Sequence, residues 1–387
     1  MGYDIYTWQS VLTDHQAYTY EALAKQAGGE VIPYVVTKED EIRKIQGWQD
    51  LNPLSSKKRL IPRNNFFWFC FSVIREQRNS VHIFASPFSD IRFIPCMLFA
   101  SWLGAEYYII SESYSPRLDG YLQETSPFFG YIKVLIRPWL YKLYGSLLKS
   151  SVAGIFTISQ RSHAQFLGAG FPISKLFGFG YFIPQQIKDV DQSRDDMRYS
   201  FNPTLKIIFI GSLLKTKGFD LLIDVGKILW NQGSKISIDM YGPGNSDLLR
   251  FSSRNIQYGG VIPFGNSQGV MGKYDLVLVP SRYDGWGVVV NEAILAGVPV
   301  ICSDEVGAGV LIDKFNCGVK FKSGDIDELS HQIIRLEKNA KSLKILKENA
   351  GKAVKFIDPE IAAIYMLRII RAPHSERATI PSPWYKS

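Results

Sequence analysis

Two carboxylates eight positions apart, Asp284 and Glu292, carry the most specific chemistry in this chain. Between them stand Gly285, Trp286 and Gly287. A Gly-rich loop that opens a helix can aim its backbone N–H groups at an anion and adds the positive end of the helix dipole. The spacing puts Asp284 at the loop's mouth and Glu292 one to two turns into the helix. One carboxylate can then meet the reactive end of a ligand. The other can accept hydrogen bonds from hydroxyls behind the phosphates. That combination suits a sugar attached to a nucleoside diphosphate. A carboxylate pair alone is better explained by an ordinary crossover with a solvated Asp and a helix Glu, so the surrounding string must decide.

The elements that position the pair are legible. Leu276 to Val279 is a short apolar run stopped by Pro280, which reads as a buried parallel strand. The helix carrying Glu292 ends at Gly297, and Pro299 to Cys302 begins the next strand. Open α/β sheets bind ligands at the carboxyl edge of such strand–loop–helix–strand units.

Taken in order, Pro280, Ser281, Asp284, Gly287, Glu292, Ala293, Ala296, Gly297, Pro299 and Val300 resemble the acidic-x7-acidic signature of the retaining glycosyltransferases of family 4, the "group 1" set. Upstream, Gly211, Leu213, Lys217, Gly218 and Asp220 resemble that family's phosphate loop, with Ser212 where Arg is usual. Lys215 stands nearby as a substitute cation. Ile236 to Tyr241 with Gly242, and the run NIQYGGVIP around Val261, resemble the strands that flank the nucleotide base. In the first half, Ser159, Gly170 and Lys175 match the end of the family's first domain, whereas Gly180 to Ile183 depart from it.

The resemblance implies two Rossmann-like α/β domains facing a cleft (the GT-B architecture), with a last helix crossing back to the first domain. It implies retaining transfer from a nucleoside-diphosphate sugar. Lys217 and the amides of Trp286 to Val288 would meet the diphosphate, Asp284 the sugar hydroxyls, and Glu292 the ribose. The implied donor-binding set is Gly211, Ser212, Lys215, Gly242, Val261, Gly285, Trp286, Gly287 and Val288. His15 and Glu112 are the acceptor-side candidates. No metal or other cofactor is implied. The D-x-D run Asp325-Ile-Asp327 reads with Glu328 as a helix cap.

A chain of 387 residues with 46% hydrophobic and 21% charged content is a core-forming protein of two domains rather than a disordered one. The expected division is 1–185 for the acceptor-side domain, 186–203 for a polar linker containing Asp195 and Asp196, and 204–358 for the nucleotide-sugar domain. The crossing helix follows at 359–371, then a loose tail at 372–387. Within the first part, Ile91 to Leu103 is apolar on all sides and reads as a buried helix, and Asp14 reads as the cap of the first helix.

The net charge of +8 suits an anionic partner, but half of it lies in residues 1–185 and no basic tail concentrates it. A nucleic-acid binder is therefore disfavoured. Cys70, Cys96, Cys302 and Cys317 form no metal-binding or disulfide pattern, which points to a reducing cytosol. The opening residues have no signal-peptide pattern. The apolar runs Phe66 to Ile74 and Phe93 to Leu103 fall short of the ~20 residues needed to span a bilayer.

Basic residues beside aromatics, at Lys57 to Phe69 and at Tyr131 to Lys149, suit peripheral contact with an anionic leaflet, although Pro138 reads as an interruption of the second stretch. The expected acceptor is a lipid-linked or lipopolysaccharide-type glycan. The competing expectations are a non-catalytic nucleotide-sugar-binding subunit, motivated by Ser212, and an epimerase or phosphorylase on the same architecture.

Overall fold

The computed structural model describes residues 4–37, 54–87, 89–121, 127–186, 204–245, 253–263 and 265–386. Most of the expected linker, with Asp195 and Asp196, lies outside the described residues.

The inner strands are apolar runs rich in β-branched and aromatic residues and buried on both faces, as parallel sheets covered by helices require. The first sheet holds β1 (Ile5–Gln9), β2 (Val31–Val35), β3 (Arg59–Leu60), β4 (Val81–Ala85), β5 (Tyr107–Glu112), β6 (Gly154–Ile158) and β7 (Leu176–Phe179). Its order is β3-β2-β1-β4-β5-β6-β7. The second holds β8 (Leu205–Ile210), β9 (Ile236–Tyr241), β10 (Ile256–Gly260), β11 (Leu276–Val279), β12 (Val300–Ser303) and β13 (Gly318–Phe321), in the order β10-β9-β8-β11-β12-β13. Among the described residues every strand pairing is parallel. Each sheet reverses direction at its centre, at β1/β4 and at β8/β11. Those are the crevices where doubly wound sheets place ligands.

In the first domain the helices are α1 (Asp14–Ala27), α2 (Phe66–Glu76), α3 (Phe93–Trp102), α4 (Pro127–Leu148) and α5 (Gln160–Gly168). The second carries α6 (Phe219–Asn231), α7 (Ser267–Met271), α8 (Val288–Leu295), α9 (Gly309–Phe315), α10 (Ile326–Lys338) and α11 (Ala340–Ala353). The last helix, α12 (Pro359–Arg371), crosses back and packs on α1 of the first domain. Gln26 donates to Glu360 at 2.9 Å there, and one apolar core holds Tyr20, Leu23, Met366 and Ile369 together. The fold class is thus two parallel α/β domains with a returning helix.

Four local expectations are corrected. The tail beyond Ala372 is docked, not loose. Trp384 is fully buried, stacks on Phe182 at 4.2 Å and donates Nε1–H to the Phe356 carbonyl at 2.7 Å. Tyr385 follows by donating to the Phe179 carbonyl at 2.9 Å. Second, α3 is buried on one side only, since Trp102 at its end is 77% exposed. Third, α4 continues through Pro138 without a break. Fourth, the first helix is capped by Thr13, whose partner in a capping box is Gln16, while Asp14 already lies inside the helix.

Candidate active site

The site forms where the carboxyl ends of β8 and β11 face the first domain. After β8 the chain turns at Gly211 and Ser212 and forms a single 3-10 turn, Lys215–Lys217. Gly218 then adopts a left-handed φ of +75°, and a Cβ there would meet the Pro280 carbonyl oxygen at 2.1 Å. Only glycine fits, so the turn is fixed and Lys217 is directed across the cleft. Its Nζ donates to Asp284 Oδ2 at 2.7 Å.

The loop after β11 is tied at both ends. Arg282 forks onto Asp220 with contacts of 2.7 and 2.8 Å, which explains why the motif carries an acid at 220. The Asp284 amide donates to the Glu305 carbonyl at 3.1 Å, and the Gly307 amide returns to the Asp284 carbonyl at 3.1 Å. The loop hands over at Gly287 to α8, where Val288, Val289 and Glu292 face the cleft. Glu292 Oε1 accepts from Ser267 Oγ, at the start of α7, at 2.6 Å. Burial pushes the Glu292 carboxyl up to about 7, against the opposite pull of the Ser267 hydroxyl.

A cleft of about 350 Å³ joins these groups. Asp284, Glu292 and Lys217 all line it, as do Gly211, Ser212, Gly242, Val261, Trp286, Gly287 and Val288. His15 and Glu112 line it from the first domain. Two expected donor residues do not. The Lys215 side chain is exposed outside the lining, because its carbonyl is held by Arg282 and the side chain is turned to solvent. Gly285 lies behind Glu112 instead: a Cβ at 285 would stand 2.3 Å from Glu112 Oε2, so glycine lets the first domain's carboxylate approach the loop.

His15 sits at the start of α1, almost buried, with its ring 4.1 Å from that of Tyr181. Asp325 caps α10, accepting from the Glu328 amide at 2.9 Å. Among the described residues no group of three or more His, Cys, Asp or Glu is arranged to hold a metal ion.

Sequence reading missed several contributors. Tyr181 lines the cleft and is positioned through Asn291, whose Nδ2 donates to the Tyr181 carbonyl at 3.0 Å while its Oδ1 accepts from Trp286 Nε1 at 2.9 Å. Ser267 lies outside any motif string. Glu305, 9% exposed, pairs with Arg161 and sits 3.7 Å from Arg117, so first-domain cations close on the second domain. Tyr283 adds a second bridge by donating to the Ser113 carbonyl at 2.5 Å. No local pattern announces these contacts, which join residues far apart in the chain.

Residues 195–353 match the family model "Glycosyl transferases group 1". An uncharacterized glycosyltransferase of Methanocaldococcus jannaschii is 29% identical over 145 residues, covering 37% of this chain and 41% of that one. The curated relatives are matched over only 28–50% of their own lengths. Among solved structures, Anabaena HepE in complex with UDP superposes with a TM-score of 0.70 at 14% identity, covering 96% of this chain and 99% of that one. The apo form of the lipopolysaccharide outer core galactosyltransferase WaaB gives a TM-score of 0.63 at 14% identity, covering 96% of this chain and 99% of that one. These two likenesses establish the fold. The second domain, matched at residues 195–353, is thus similar to the group 1 glycosyl transferases, and the chain has the two-domain GT-B architecture.

Proposed function

We propose that the protein is a retaining, metal-independent glycosyltransferase that moves a sugar from a nucleoside-diphosphate sugar to a lipid-linked or lipopolysaccharide-type acceptor. One observation carries the reading: Lys217 with Asp284, Glu292 with Ser267, and the N-terminus of α8 converge on a single interdomain cleft. The likeness to a structure described as a complex with UDP supports a nucleotide in that cleft. Lys217 and the amides at the start of α8 stabilise the charge that develops on the departing diphosphate. Glu292 accepts from the ribose hydroxyls and Asp284 from those of the sugar. The bond from the anomeric carbon to the diphosphate breaks, the acceptor oxygen bonds that carbon on the same face, and the acceptor's proton leaves with the diphosphate. The test is slow hydrolysis of the donor, read by proton NMR at the anomeric centre in chelator-containing buffer. The first-formed sugar keeps the donor's configuration at an unchanged rate. An inverted product, or arrest by the chelator, contradicts the reading.

Peripheral attachment to an anionic membrane at the cytoplasmic face belongs to the same proposal. Helix α4 turns Phe128, Tyr131, Leu135, Trp139 and Leu143 outward, and Trp139 is 72% exposed. A helix ordinarily shows its polar face to water. Trp68 on α2 and Trp102 on α3 are exposed on helices packed over the same side of the first sheet. Lys57, Arg59, Lys142 and Lys149 are exposed beside them. Among the described residues no helix is long and apolar enough to cross a membrane, so the contact is interfacial. Flotation with vesicles containing anionic lipid should carry the wild type upward. A variant with Trp68, Trp102 and Trp139 all changed to Ser stays at the bottom, and a wild type that fails to float removes this part.

Ser212, standing where a second cation is usual, favours one rival: a subunit that binds the nucleotide sugar without turning it over. Binding with no hydrolysis in the same NMR assay is its signature.

A further inference from the structure

The first domain holds a second cavity, of about 360 Å³, that the donor chemistry leaves unused. His15, Glu112 and Tyr181 line both it and the donor cleft, so the two spaces meet at that point. Most of the polar lining is uncharged, with Gln9, Ser10, Ser86 and Tyr141 among it. Among the lining residues stands one Arg or Lys, Arg137, on the inward face of α4. Its Nη1 donates to the Tyr121 hydroxyl at 3.1 Å, and the guanidinium lies over the Tyr121 ring at 5.0 Å. Those two contacts hold the guanidinium at the cavity wall. Among the described residues Arg137 forms no ion pair.

We propose that Arg137 binds a phosphate in the acceptor, the one that joins the acceptor sugar to its lipid; this rests on the glycosyltransferase reading above. A guanidinium that lines a cavity, with no carboxylate paired to it among the described residues, favours an anionic ligand there. Its planar fork matches two phosphate oxygens at once. The phosphate assignment, in preference to a carboxylate on a sugar ring, comes from α4 itself. Positions 128, 131, 135, 139 and 143 recur at helical spacing on the outward side, while Arg137 and buried Tyr141 and Tyr144 lie on the other. A helix is about 10 Å across, so a phosphate at Arg137 sits about one helix width from the outward apolar face. An acceptor whose chain lies along that face brings its linking phosphate to this depth and its sugar toward Glu112 and the donor.

The probe is farnesyl phosphate, titrated into the full chain beside farnesol and an alkyl glucuronide, with UDP titrated separately into the same samples. The wild type should prefer farnesyl phosphate to both others. Arg137→Gln should weaken farnesyl phosphate by about 10- to 100-fold, the range for loss of a charge-assisted pair, with UDP binding and melting temperature unchanged. Arg137→Lys, which keeps the charge and loses the fork, should fall between the two. Lys217→Ala should do the reverse, weakening UDP and sparing farnesyl phosphate. Equal binding of farnesyl phosphate by wild type and Arg137→Gln overturns the proposal, as does equal binding of farnesol or tighter binding of the glucuronide. Failure of the wild type to bind any nucleotide strikes the transferase reading instead and leaves the phosphate comparison to be judged by itself.

Discussion

Glu292→Ala is expected to weaken binding of the nucleotide sugar by about 30- to 150-fold, equivalent to about 2–3 kcal/mol, and to abolish transfer while leaving the fold intact. The carboxylate faces the cleft from the second turn of α8, and its partner among the described residues is the Ser267 hydroxyl at 2.6 Å, so lone pairs remain for ligand hydroxyls. Its titration gives the effect a pH signature. Burial raises the folded pKa to about 7, so the charged, hydrogen-bond-accepting form grows as pH rises through that value. Donor affinity therefore climbs from about pH 6 to about pH 8 and then levels off. Glu292→Gln binds weakly with no such slope. A nucleotide sugar is the right probe, because its diphosphate is esterified at both ends and does not titrate in this window. The same shift acts on stability with the opposite sense. The folded state holds this proton more tightly than the unfolded chain, so stability declines as pH rises from the ordinary carboxylate range to about 7. Calorimetry of the two variants across pH checks both statements, and a flat wild-type profile would contradict the assigned role.

Lys217→Ala should lower kcat by about 100- to 1000-fold, the cost of removing one preorganised donor from a developing anion. Lys217 is half-buried and held by Asp284 at 2.7 Å, so its charge is already in place when the diphosphate departs. An interaction that strengthens as the leaving group gains charge appears mainly in kcat, with a smaller change in KM. Ser212 makes the expected loss large, since the position that would carry a second cation is neutral. The measurement is single-turnover hydrolysis of the donor. A variant whose defect lies wholly in KM would show that Lys217 supplies ground-state binding only.

How much of this was readable beforehand follows from how far apart the contacting residues lie. The string from Pro280 to Val300 is local. Its strand, its Gly-rich turn and its helix are each specified by neighbours in sequence, so the placement of Asp284 and Glu292 around one loop could be read directly. Lys217 was readable because Gly218 dictates the turn that follows it. Ser267 was not, since its contact with Glu292 spans separate elements and the serine has no local pattern of its own. The docked tail was missed for the same reason. Pro381 and Pro383 suggest an irregular segment, and it is irregular, but Trp384 finds Phe182 and Tyr365 in three dimensions. Lys215 was a misreading of proximity in sequence as proximity in space. The apolar helix at Phe93–Trp102 shows a different limit: composition cannot separate a helix buried in protein from one whose outer side is apolar for another reason.

The central claim is that the cleft between the two sheets binds a nucleoside diphosphate through Glu292 and the Lys217 loop. Its most direct test is equilibrium titration of the wild type with UDP, GDP, ADP and dTDP, with Glu292→Ala beside it. The account predicts saturable binding of one nucleotide in preference to the rest, lost in the variant. Binding by none of the four, or binding that survives Glu292→Ala unchanged, would contradict it.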